Sequence, residues 1–77
     1  HKEIEMEKTC KEILKSWLYR EVIFTDFRGM LGTERVHVNF YEPLTSEETE
    51  SFSEELLKKG LLIDETYENT VVVREWG

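Results

Sequence analysis

Two amphipathic helices and two β-hairpins in the order α-ββ-α-ββ predict an α+β fold. It is a two-layer sandwich in which helices 3–20 and 46–59 cover one face of a four-stranded antiparallel sheet. Three observations carry this reading. Apolar residues recur at helical spacing near the start, β-branched and aromatic residues alternate over 35–41, and a capping box opens the segment after Pro43. With 77 residues, no low-complexity stretch and no linker, residues 1–77 read as a single small domain.

In the first helix, Met6, Cys10, Ile13, Leu14, Trp17 and Leu18 fall on one stripe, with Trp17 expected as the main anchor. Glu7 with Lys11 and Lys8 with Glu12 lie at i,i+4 on its outer side. Such pairs add only a few tenths of a kcal/mol, so packing must hold the helix in place. Val22, Ile23, Phe24, Thr25 and Phe27 favour a strand over 21–27. Over 35–41, Val36, Val38 and Phe40 share one face, and Arg35, His37, Asn39 and Tyr41 the other. Gly29 and Gly32 flank Met30 and Leu31 in the connecting turn, which reads as a hairpin.

Thr45-Ser46-Glu47-Glu48 matches the capping box, with acidic residues at the positive helix end and Lys58 and Lys59 at the negative end. Gly60 stops this helix, placing Leu56 and Leu61 where a Schellman ending makes its apolar contact. Strands over 61–66 and 70–76 complete the chain, joined at Tyr67-Glu68-Asn69, where Asn69 is expected to turn left-handed. The expected core is Met6, Cys10, Ile13, Leu14, Trp17, Leu18, Val22, Phe24, Val36, Val38, Phe40, Phe52, Leu56, Leu57, Leu61, Ile63 and Val72 or Val73.

Charge narrows the function. Ten basic residues face seventeen acidic ones, for a formal charge of −7. The surplus sits in the second half, where nine carboxylates between Glu42 and Glu68 meet only Lys58 and Lys59. Such a surface steers cationic partners and opposes phosphate backbones, so nucleic acid is disfavoured. A single cysteine in a chain this small points to an intracellular, cytoplasmic location, and no apolar run is long enough for a signal peptide or membrane span.

No residue set requires catalysis. Cys10 belongs to the apolar stripe and His37 to a polar strand face, so no nucleophile–base pair converges, and the chain is expected not to be an enzyme. Two interior Cys/His positions cannot build a zinc site, Asp64, Glu65 and Glu68 lack the EF-hand spacing, and no cofactor motif is present. Gly29-Met30-Leu31-Gly32 matches the GxxG of nucleic-acid-gripping KH domains but joins two strands rather than two helices.

The feature beyond average is the helix 46–59, whose Glu47, Glu50 and Glu54, with Glu48 and Glu55 beside them, line its wet side. These five glutamates are the expected partner-binding residues, either as a plain solvated face or as a surface for a basic protein, including one whose natural ligand is nucleic acid. Met30 and Leu31, apolar at a turn, join them as expected contacts, with Arg28 and Arg35 as rim. In size and charge the chain is similar in type to small acidic α+β inhibitor proteins of phages and other viruses, a likeness that transfers no residue. Two other readings stand beside this one. An RNA- or single-strand-binding sheet would use Arg35, His37, Tyr41 and Trp76. A structural homodimer would form through the open sheet face or an edge strand such as 70–76.

Overall fold

The computed structural model describes residues 2–15, 17, 22–28 and 34–76, of which 2–4 and 22–28 are described by backbone alone. The elements are α1 (Lys2–Leu14), β1 (Val22–Arg28), β2 (Glu34–Phe40), α2 (Ser46–Lys58), β3 (Leu61–Tyr67) and β4 (Thr70–Glu75). The broad class is α+β. The four-stranded sandwich expected from the sequence is corrected: the sheet whose side chains build the described core is three-stranded and antiparallel, in the order β2-β4-β3. Beyond it, β1 pairs with the outer side of β2 through its backbone, from Val22 opposite Phe40 to Arg28 opposite Glu34. The expected core positions Val22, Phe24 and Leu18, and the turn residues Met30 and Leu31, lie outside the described side chains.

The strand expected at the edge is the central one. β4 is antiparallel to β2 (Val36 opposite Val73) on one side and to β3 (Ile63 opposite Val73) on the other. β2 and β3 are therefore parallel to each other, connected through α2 with β4 inserted between them. Three consecutive valines explain the placement. Val71 and Val73 join the core, while Val72 points to the opposite face, yet all three are buried. A strand covered on both faces carries a continuous apolar run rather than an alternation.

Both helices pack on the face formed by Val36, Val38, Phe40, Val71, Val73 and Leu61. α1 contributes Met6, Cys10 and Leu14, and α2 contributes Phe52 and Leu56. The first helix is shorter than the expected 3–20. It ends at Leu14, where the Lys15 amide turns back to the Glu12 carbonyl and the Trp17 amide to the Leu14 carbonyl at 2.9 Å, both i→i+3 bonds that tighten a last turn. Trp17 thus anchors from beyond the helix, its ring 5.8 Å from Phe52 and 6.5 Å from Phe40. Leu57, expected in the core, is 49% exposed. It sits about 100° round the helix from Leu56, off the Phe52–Leu56 line that points at the sheet.

The capping box of α2 is present. Thr45 Oγ1 accepts from the Glu48 amide at 3.1 Å, and Glu48 Oε1 accepts from the Thr45 amide at 2.9 Å. Thr45→Ala should cost about 1 kcal/mol, read as a lowered urea midpoint at unchanged slope. At the other end Gly60 has φ +77°, the left-handed conformation expected there. In the β3–β4 turn the left-handed residue is Glu68 (φ 52°) rather than Asn69. Asn69 is fixed to the end of β2 instead: its side-chain amide donates to the Tyr41 carbonyl, and its carbonyl accepts from the Phe40 amide, both at 2.9 Å.

Candidate functional site: an acidic groove between α2 and β3

The five glutamates of α2 do not act alike. Glu48 is drawn into the capping box, and Glu55 lies 3.3 Å from Lys58 in an i,i+3 ion pair. Glu47 is exposed in the first turn. Glu50 and Glu54, one turn apart, face an open groove of about 650 Å³ between α2 and β3. Leu44, Ser46, Thr49 and Ser53 complete the helix side, and Ile63, Asp64, Glu65 and Thr66 form the strand side. Among the described residues, no ion pair or hydrogen bond engages the side chains of Glu47, Glu50, Glu54 or Glu65. Their mutual repulsion at i,i+3 and i,i+4 costs an isolated helix a few tenths of a kcal/mol per pair.

The strand wall was not legible from the sequence as part of a site. It is shaped by a register shift between Ile63 and Glu65, which leaves Asp64 without a partner residue on β4. The bulge puts Asp64 within reach of two arginines, Arg74 on the adjacent β4 and Arg35 on β2 beyond it. Arg35 Nε donates to its Oδ2 at 3.0 Å and Arg74 Nε to its Oδ1 at 2.9 Å. Partial burial pushes the Asp64 carboxyl up, but the hydrogen bonds from Arg74 and Arg35 and their two positive charges outweigh it, holding the group below the ordinary carboxylate value.

This bridge lies on the sheet face away from the helices. Next to it Val72, opposite both His37 and Glu65, is only 2% exposed. The Tyr67 hydroxyl is 3.4 Å from His37 Nδ1, with the rings edge-on at 6.3 Å. Thr70 Oγ1 donates to Asn39 Oδ1 at 2.8 Å. The four residues expected as a nucleic-acid face do not gather into one patch. Arg35 is engaged with Asp64 and His37 with Tyr67, while Tyr41 and Trp76 are exposed at opposite ends of β4. From Thr70, near Tyr41, to Trp76 the strand runs about 20 Å.

Cys10 is fully buried among core residues. Burial, with the Glu7 charge adding to it, pushes its thiol up to about 12. Native protein should resist maleimide at neutral pH and react at once in denaturant, a contrast that mass spectrometry resolves. No group of three or more His, Cys, Asp or Glu able to hold a metal ion occurs among the described residues. No helix among them is long and apolar enough to cross a membrane. Comparisons with protein-family models, with curated proteins and with solved structures found no match to this chain.

Proposed function

We propose that this chain is a protein-binding module that docks its acidic α2–β3 side on a basic surface of another protein. The observation that supports the reading is the groove itself. Among the described residues, Glu50 and Glu54 on its helix wall stand without an ion partner above the half-buried side chains of Leu44 and Ile63. Unpaired carboxylates flanking apolar surface suit lysine or arginine side chains, whose stems pack on carbon while their heads meet charge. A partner whose basic surface normally holds nucleic acid is blocked by such docking, which makes inhibition the natural consequence.

Fluorescence anisotropy with a labelled arginine-rich peptide and a labelled single-stranded RNA tests this. The peptide should bind, with affinity falling as salt rises. The double variant Glu50→Lys, Glu54→Lys should bind it about tenfold more weakly or worse and gain affinity for the RNA. Equal peptide binding by the two proteins, or tighter RNA binding by the unmodified chain, overturns the reading.

A further inference from the structure

β3 is an end strand of the sheet. One side of its backbone pairs with β4. Among the described residues no hydrogen bond joins the other side of Ile63–Tyr67 to any part of the chain. An unpaired edge is a template for a further strand. The groove described above opens along this same edge, since Ile63, Asp64, Glu65 and Thr66 form its strand wall.

Charge decides what can occupy it. A second copy of this chain, paired edge to edge, would set its own Glu65 and Glu68 near those of the first and bring two sets of Glu50 and Glu54 together, at a formal charge of −7 per copy. Like charges on facing strands are destabilising. An extended segment carrying lysine or arginine at alternate positions meets the opposite situation. Its main chain completes the ladder, and side chains on one face reach Glu50 and Glu54 on α2. We propose that the basic segment of the partner binds by strand addition, hydrogen-bonding to the outer edge of β3 over residues 63–67 beneath α2. This inference rests on the acidic-groove reading and adds the backbone geometry of the complex.

The probe is a short peptide alternating lysine with valine, together with two versions N-methylated either at every lysine or at every valine. N-methylation keeps the charge and removes amide donors, and in a strand only alternate amides point toward the neighbour. The parent should bind the full chain and slow amide exchange over residues 63–67. One N-methylated version should bind like the parent and the other at least about tenfold more weakly. Equal affinities of the two N-methylated versions, whether retained or lost, overturn strand addition, as does binding without protection of those amides. Failure of the parent peptide to bind overturns the charge reading and strand addition with it. Parent binding with equal N-methylated affinities leaves the charge reading standing and removes only the strand. Concentration-dependent dimerisation that protects the same amides without peptide assigns the edge to a second copy and overturns the proposal.

Discussion

Phe52→Ala should lower stability by about 3–5 kcal/mol, enough to leave most of the chain unfolded at 25 °C. Phe52 is fully buried and is the point where three parts of the structure meet. Its ring is edge-on to Trp17 beyond α1 (5.8 Å, 62°) and to Phe40 at the end of β2 (6.4 Å, 88°). The substitution removes the ring and its aromatic contacts to both Trp17 and Phe40. Leu56, also fully buried one turn away, cannot slide into the gap without leaving its own site. Urea unfolding followed by tryptophan fluorescence reads the effect. Phe52→Leu, which keeps most of the volume, should cost about 1.5 kcal/mol and remain folded. Equal stability of Phe52→Ala and the unmodified chain would mean that this aromatic junction is not the centre of the core.

Asp64→Ala has the next largest expected effect on stability, about 1–2 kcal/mol after discounting for solvent at a side chain that is 30% exposed. The loss goes beyond two ion pairs, because Arg35 and Arg74 are left facing each other across the sheet without the carboxylate between them. The pH dependence has a definite sign. The folded-state pKa of Asp64 is lowered. Its contribution is therefore fully present above the unfolded value of about 3.9 and lost as pH falls through the folded value. The difference in melting temperature between the two proteins should thus be constant from neutral pH down to about pH 4 and shrink below it. A difference that grows in acid would contradict the assignment of the charged carboxylate as the stabilising form.

Much of the fold is written locally. The Thr45–Glu48 box marks the start of α2, Gly60 marks its end, and the alternation of Val36, Val38 and Phe40 gives β2 its buried face. What could not be read depends on who pairs with whom. An isolated 70–76 strand looks the same at an edge or in the middle, although Val71-Val72-Val73 carried a usable hint in its lack of alternation. Leu57 is indistinguishable from Leu56 by composition, and the sheet surface alone decides between them. The end of α1 at Leu14 follows from Trp17 reaching Phe40 and Phe52, a tertiary demand that overrides helical periodicity.

The candidate site divides the same way. The acidic stripe of α2 was visible as spacing. Which of its members are occupied by capping or by Lys58, and which face the groove, is a matter of geometry. The bulge that shapes the strand wall, and sets Asp64 between Arg35 and Arg74, is invisible in a single sequence.

The central position of β4 also orders events on the ribosome. Val36 pairs with Val73, so β2 cannot acquire its inner neighbour until thirty-odd further residues have been made, with α2 and β3 emerging first. Until then the apolar faces of β2 and β3 have no strand between them, and α2 has no completed sheet to rest on. Folding of the sheet must therefore wait for the last of these strands to clear the exit tunnel, with its most distant contacts closing last. A nascent chain stalled before Thr70 exposes Val36, Val38, Phe40 and Leu61 to solvent, and such a fragment is a substrate for chaperones or proteases rather than a partly working protein.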